Sequence, residues 1–299
     1  MKLAAIDLGS NSIKLVVVET AADDSFTELA SEREVIRLGQ ETLVNKHISD
    51  AAVARAVNCL KLFRSVAERH GAHNITAIAT AFLREADNAE EFVRTVEEQT
   101  GLRVEMLAGI EEARLIGLAA THGCAPKGVT TLNIDIGGGS TEISIFRDSE
   151  PLKLISIKMG AVGFTDSFIR SDPPAPNELD ALRAEIRVSL QAHANEIREQ
   201  RWDHTTATSG TAVTLGFVLS DTTITLPTLQ RLNEKLAALC LEERRTVPGL
   251  PPQRADIIVA GGFILEEVMN ALGIESLRVC DWSLREGVII DRLRALKRS

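Results

Sequence analysis

Two stretches of this chain carry the same pattern of acid, glycine and serine at a constant offset. Ile6 to Leu15 reads IDLGSNSIKL, Ile134 to Ile143 reads IDIGGGSTEI, and adding 128 maps Asp7 onto Asp135, Gly9 onto Gly137 and Ser12 onto Ser140. Apolar runs flank each copy, and the Gly, Ser and Asn between them are turn residues that allow φ > 0. Two strands joined by such a turn present several backbone N–H groups to one point, which is an anion-binding nest. One Gly-rich hairpin alone is ordinary turn punctuation. A repeat with an acid at the same place in both copies points instead to a duplicated unit, whose two nests clamp opposite ends of one phosphate-bearing ligand.

Further residues suit the same chemistry. Asp135 and Glu142 stand on the two arms of the second hairpin, and hard oxygen ligands of this kind suit Mg²⁺, which keeps several waters and bridges phosphate oxygens; a solvated Glu142 is the plainer alternative. Glu111 and Glu112 open a helix, where the dipole favours carboxylates. Either they cap that helix, or one of them is a general base that takes a proton from an attacking water. Arg84 lies in a loop just beyond a strand, placed to fork two phosphate oxygens or else to pair with Glu85 or Asp87. TSGT (Thr208 to Thr211) and AGG (Ala260 to Gly262) follow strands and offer further close backbone approaches. The histidines lack metal spacing, His70 and His73 flank a helix end, and Arg244 and Arg245 read as a solvated helix face.

These residues must be positioned by alternating elements. A Ser49-capped helix runs to His70, after a short strand in EVIRLGQETL; Asn74 to Thr80 is a strand, and Asn88 with Glu91 opens a helix through Gln99 as a capping box. Arg103 to Leu107 is a strand, followed by a helix from about Ile110 to Thr121. GCAPKG (Gly123 to Gly128) is the expected boundary, dividing domains 1–125 and 126–299. The second half has the Asp135 hairpin, a strand near Leu152 to Ile157 and a helix from Asn177 to about Gln200. Then come a strand near Thr205 to Ser209, a helix over Leu229 to Thr246, a strand at Ile257 to Gly261, a helix on FILEEVM, the strand SLRVC and a terminal helix from Leu284. Strands and helices alternating after an opening hairpin predict an α/β protein with mixed sheets.

The 299 residues, 44% of them hydrophobic, suffice for two domains. A net charge of −9 excludes the basic footprint of nucleic-acid binders and anionic-membrane binders, so a polyanion must be held by backbone amides, a few Arg and Lys, and metal ions. Cys59, Cys124, Cys240 and Cys280 are far apart and form no CxxC pair, and are expected to be reduced core residues. No apolar run approaches a membrane span, and the first residues enter a strand without a signal-peptide pattern, so the expected setting is cytoplasmic.

Taken together, IDLGSNSIKL, ATAFLREADN, AGIEEARLIGLAA, NIDIGGGSTEISI, TSGTAVTL, PGLPPQRADIIVAGG and VCDWSLREGVIID resemble the exopolyphosphatase and guanosine pentaphosphate phosphohydrolase family, in that family's order and over nearly the whole chain. The resemblance implies the fold of the actin, sugar kinase and DnaK-type chaperone superfamily: two duplicated ribonuclease-H-like α/β domains with mixed sheets and an active-site cleft between them, the terminal helix packing back on the first. It further implies that Asp7 with Gly9, Ser10, Asn11 and Ser12, the loop Gly137, Gly138, Gly139, Ser140 and Thr141, and Ser209 and Gly210 hold phosphates. Asp135 and Glu142 correspond to metal-associated acids, Arg84 to a phosphate-binding arginine and Glu112 to the general base. Two departures stand out: Ala108 where relatives often have Ser, and Gly163 where they have Arg.

The activity implied is Mg²⁺-dependent hydrolysis of terminal phosphoanhydride bonds of inorganic polyphosphate, with short chains favoured because the chain resembles the short, two-domain form. Removal of the 5′ γ-phosphate from guanosine pentaphosphate is the alternative within the same chemistry. A polyphosphate- or nucleotide-binding regulator with little turnover is the alternative of another class, and a homodimer that builds a continuous basic groove also stays open.

Overall fold

The computed structural model describes residues 1–21, 25–40 and 42–298. Glu41, inside the EVIRLGQETL segment, lies outside them. The first half runs β1 (Lys2–Leu8), β2 (Ile13–Thr20), β3 (Phe26–Glu34), the short α1 (Thr42–Asn45), α2 (Asp50–Arg69), β4 (Asn74–Ala79), the short α3 (Ala81–Arg84), α4 (Ala89–Thr100), β5 (Val104–Met106) and α5 (Gly109–Cys124). The second runs β6 (Thr130–Ile136), β7 (Thr141–Arg147), β8 (Glu150–Ile157), α6 (Ala161–Phe168), α7 (Pro176–Arg198), β9 (His204–Thr208), α8 (Ser209–Leu219), β10 (Thr223–Thr225), α9 (Leu226–Ala238), the short α10 (Leu241–Arg244), α11 (Ile258–Leu272), β11 (Ser276–Val279) and α12 (Leu284–Arg298).

The duplication is carried by the sheets. The first has strand order β3-β2-β1-β4-β5, and the second β10-β11-β9-β6-β7-β8, which is the same arrangement with one extra edge strand. In each, an antiparallel hairpin continues into parallel strands. Register repeats as well: Asp7 faces Lys14 across the first hairpin and Asp135 faces Glu142 across the second. Because β1 and β6 are interior strands covered on both faces, their apolar residues are buried almost without interruption.

Two large cores fill the halves, one under each sheet, and a third joins them. Leu284, Val288, Ile289 and Leu293 of α12 pack with Leu3, Ala5, Val16 and Val18 of the first sheet and with Leu115 and Ile116 of α5. A side chain at Gly287 would collide with the Leu115 carbonyl, so this residue type sets the close crossing of α12 and α5. In turn α5 lies on the second sheet, Gly117 against Phe146 and Ser144. Each half thus lends a helix to the other, which rigidly couples the two hairpins.

Several local expectations need correction. Ile257 to Gly261 is no strand: the helix α11 runs from Ile258 to Leu272 and is buried on nearly every side, and an apolar run of that kind reads equally as strand or helix. The AGG segment therefore does not follow a strand, and Gly261 and Gly262 instead allow α11 to approach Thr211 and Asn233. The Leu229 to Thr246 helix is two helices, α9 and α10. The strand expected in EVIRLGQETL lies earlier, at β3. Ser49 does cap α2, but Asn88 makes no capping box, its amide being spent on both backbone groups of Ile48. Arg244 is not solvated; it is buried, with its guanidinium on the carbonyls of Leu236 and Leu239 and on Asp172.

Cys124 and Cys280 are not free thiols. They form a disulfide across 156 residues of sequence with Cα atoms 6.0 Å apart, a usual bridging distance. Sequence separation hid the pair because α5 and the segment after β11 meet only once both halves are folded. Cys59, buried, and Cys240, half-buried, are free.

Candidate active site

Asp7 and Asp135 are the penultimate residues of β1 and β6, so both carboxylates emerge where the two central strands open into one cleft. Gly9 to Ser12, Gly137 to Ser140, Glu112, Ser209 and Gly210 line the same cleft. The turn is built alike in both copies, Gly9 N donating to Ser12 O at 3.1 Å and Gly137 N to Ser140 O at 2.9 Å. The carbonyls of Ser10, Asn11, Gly137 and Gly138 are taken by backbone amides of later segments. The amides of Ser10, Asn11, Gly138 and Gly139, by contrast, find no acceptor among the described residues.

The glycines serve a different purpose from the one expected. None of the loop glycines has positive φ; their role is close approach, because a Cβ on Gly138 would stand 2.8 Å from Ser10 Cβ and one on Gly139 2.8 Å from Ala81 Cβ. The two loops therefore touch across the cleft. Positive φ occurs instead at Ser209, at 68°, where a non-glycine residue stores strain of the kind found at ligand sites. Its hydroxyl and that of Thr211 both donate to Ile136 O, which ties the TSGT turn to the end of β6.

Four buried acids share this region. Burial raises the pKa of Asp7, which Lys14 and Arg285 oppose and Asp135 reinforces. Burial likewise raises Asp135, countered by hydrogen bonds from Thr208 at 2.6 Å and Ser283 at 3.0 Å. Glu142 is pushed well above the usual carboxylate range by burial and by the charges of Glu112 and Asp135. It is not the solvated residue of the plainer reading, being 1% exposed with Oε1 accepting from Ser156 at 2.8 Å. Glu112 is raised to about 7, burial outweighing the attraction of Arg84.

Arg84 ends the one-turn α3 and does not sit in a loop. It pairs with neither Glu85 nor Asp87: its Nη1 donates to Glu112 Oε2 at 2.7 Å and to Leu107 O at 2.9 Å. Glu111 faces away, gripped by Arg114 in two hydrogen bonds. Of the two neighbouring glutamates, only Glu112 reaches the cleft. Thr141 does not line it; its hydroxyl donates to Met159 O beneath the sheet.

The cleft contains unsatisfied polar atoms of both signs. Asp7 Oδ1 is a buried acceptor without a donor, and Asn11 Nδ2 and Arg254 Nε are buried donors without an acceptor; Glu142 does not line the cleft, and its Oε2 is a further buried acceptor without a donor. Buried polar atoms without partners are costly, so the set fits a ligand that brings a cation and an anion together. Hard carboxylate oxygens suit a divalent cation. Among the described residues no three of these carboxylates bring oxygens within 4.8 Å of one another, so the acids alone do not form a closed cage, which agrees with a metal that keeps water and substrate oxygens.

Lys14, Thr80, Arg254 and Ser283 also line the cleft and escaped sequence reasoning. The repeat held the signal for Lys14, since the offset that pairs Asp7 with Asp135 pairs Lys14 with Glu142. It reaches Asp7 at 3.7 Å, and burial lowers its pKa. Arg254, in a short 3₁₀ turn (Pro252–Arg254), lay within the PGLPPQRADIIVAGG stretch, but nothing in its spacing marked it as a site residue. It is 6% exposed, and burial together with Arg33 depresses it to about 9. Its guanidinium fills the space that a side chain at Gly210 would need.

Comparison with known proteins agrees with this geometry. The model of the Ppx/GppA phosphatase family matches residues 16–296. Exopolyphosphatase 1 of Mycobacterium leprae is 30% identical over 304 residues, covering 98% of this chain and 90% of that protein. The crystal structure of an exopolyphosphatase from Cytophaga hutchinsonii superposes with a TM-score of 0.91 at 25% identity, covering 99% of this chain and 98% of that one. The Aquifex aeolicus member of the Ppx/GppA family gives 0.83 at 25% identity, covering 100% and 99%. The fold is thus the two-domain actin-like arrangement of those structures.

Proposed function

Because the chain belongs to the Ppx/GppA phosphatase family, we propose that it is an exopolyphosphatase that hydrolyses the terminal phosphoanhydride of inorganic polyphosphate and releases orthophosphate. The observation that carries this reading is the cleft itself, where an orphaned acceptor on Asp7 stands with orphaned donors on Asn11 and Arg254, and a further orphaned acceptor, Glu142 Oε2, lies outside its lining. A metal-bound phosphate chain end would satisfy both sets at once.

Glu112 is assigned as the general base. With a pKa of about 7 it is partly ionised at neutral pH and still basic enough to take a proton from water. The water oxygen bonds to the terminal phosphorus, the bridging oxygen leaves with the shortened chain, and the proton passes to Glu112. The Gly9 to Ser12 loop, the Gly137 to Ser140 loop, Ser209 and Gly210 hold phosphate oxygens, Asp7 takes part through a cation rather than by direct contact, and Thr141 anchors the end of the second loop to Met159 O. Arg84 and the loop amides offset charge on the transferred group. Asp135 and Glu142 would hold Mg²⁺, which when bound neutralises phosphate charge and orients the chain end.

We take residues 1–125 and 126–299 as the two domains and the cytoplasm as the setting. No helix among the described residues is long and apolar enough to cross a membrane. The Cys124–Cys280 disulfide would be unusual in a reducing compartment, and thiol trapping in intact cells tests that placement. The net charge of −9 disfavours very long polyanions, so short chains are the assigned substrates. Phosphate release measured side by side on short polyphosphate, long polyphosphate and guanosine pentaphosphate tests the reading. Turnover of guanosine pentaphosphate alone would make the chain a nucleotide phosphohydrolase, and tight polyphosphate binding without turnover would make it a regulator.

A further inference from the structure

A side chamber opens from the cleft, sharing Ala81, Gly139 and Ser140 with it. Its charged lining is Lys46, Arg84, Glu85 and Lys158, three cations against one anion. That is a local positive surplus in a chain whose net charge is −9. Glu85 stands between the two lysines. Its Oε2 takes Lys46 Nζ at 2.8 Å and its Oε1 takes Lys158 Nζ at 2.6 Å. Lys46 and Glu85 belong to the first half and Lys158 follows β8 in the second, so one of these bonds crosses between the halves. Lys158 is 82% exposed at its side chain and Lys46 43%, whereas Glu85 is 18% exposed. The lysines therefore reach solvent at the chamber mouth while the carboxylate sits inside.

We propose that this chamber binds the phosphate units next to the one being cleaved, and that Glu85 acts as an internal stand-in for them, holding Lys46 and Lys158 in the free protein and releasing them to the polyanion. The proposal rests on the exopolyphosphatase reading and adds to it the residues that set preference for chain length. Two observations carry it. The chamber is continuous with the cleft on the side where Arg84 touches Glu112. Its serine hydroxyls do not serve the anion, since Ser156 donates to Glu142 and Ser167 to Gly163 O, so the cationic side chains must hold it. Lastly, exposed lysine–carboxylate pairs are weak and exchange readily, whereas each phosphate unit offers several anionic oxygens to the same two ammonium groups. Ile110 and Phe164 give the chamber an apolar part that carries no polyanion, so few units fit, and the gain from added length must level off early.

The test compares tripolyphosphate with a linear chain of about 15 units at low ionic strength, where lysine contacts are least screened. The reading is the ratio of kcat/KM between the longer and the shorter substrate, per chain end, in the wild type, in Lys46→Gln/Lys158→Gln and in Glu85→Gln. The double variant should lower that ratio about tenfold, from two weak ion contacts. Glu85→Gln should raise it severalfold, and both shifts should shrink at high salt. A ratio that stays put in both variants overturns the proposal. So does a Glu85→Gln protein that loses activity equally on both substrates and melts earlier, since Glu85 would then be only a tie between the halves. Calorimetry separates this inference from the activity it rests on: if the wild type cleaves no polyphosphate yet binds the longer chain through Lys46 and Lys158, the chamber stands and the exopolyphosphatase reading falls.

Discussion

Replacing Glu112 by Gln tests the proposed chemistry most directly, because it keeps the shape and the hydrogen bond that Arg84 makes at 2.7 Å while removing the basic oxygen. The loss should be about 10²-fold or more in kcat, the usual contribution of a positioned general base. The pH profile sharpens the prediction. With its pKa at about 7, Glu112 is almost wholly ionised at alkaline pH, and by the same titration about one tenth ionised one unit below its pKa. Wild-type kcat/KM should therefore rise with pH through neutrality and level off above it, while the residual rate of Glu112→Gln should lack that limb. Stability gives an independent reading. Burial raises this carboxyl from 4.5 to about 7, so wild-type stability falls as pH climbs through that window and is flat above it. The stability lost across that window is on the order of a few kcal/mol. In metal-free protein, Glu112→Gln should consequently gain on the wild type between acid and neutral pH. Glu111→Gln is the control, since Glu111 is half exposed and bound to Arg114. Full activity in Glu112→Gln, or inactivity in Glu111→Gln, would refute the assignment of the base.

Three further outcomes follow from the same geometry. Asp135→Asn and Glu142→Gln should each raise the Mg²⁺ concentration needed for phosphate release, since each removes an anionic oxygen from the proposed metal site; full activity in EDTA, with metal content measured as nil, would exclude a metal-assisted reaction. Arg254→Met should raise KM for polyphosphate about tenfold or more, the scale of one lost charge-assisted contact, and an unaltered KM would show that this buried guanidinium, whose Nε has no partner, does not meet substrate. Reduction of Cys124–Cys280, or Cys124→Ser, should lower unfolding free energy by about 5 kcal/mol on loop-closure entropy, for a bridge closing a loop across 156 residues of sequence; denaturation curves that coincide with and without reductant would show that the bridge contributes nothing to stability.

The parts legible in the sequence are those that local pattern governs. Two apolar runs around a Gly- and Ser-rich turn determine a hairpin and its register, so the repeat alone located Asp7, Asp135 and both loops at corresponding points. The helix from Leu284 and the Ser49 cap were equally local. The rest depended on which surfaces meet. Glu111 and Glu112 are adjacent and chemically alike, and only the packing of α5 on the second sheet turns one toward the cleft and leaves the other with Arg114. The loop glycines look like turn residues, yet their requirement comes from Ser10 and Ala81 approaching from elsewhere in the fold. Arg254, Ser283 and the Cys124–Cys280 bridge carry no periodicity or spacing that marks them, because each acquires its partner across the closed fold. Hydrophobic period and turn chemistry act over a few residues, and so the sequence itself determines the hairpins and the acids they present. Long-range burial decides which of those acids stay charged, which cations face them and where a buried atom is left without a partner, and these are properties of the assembled cleft.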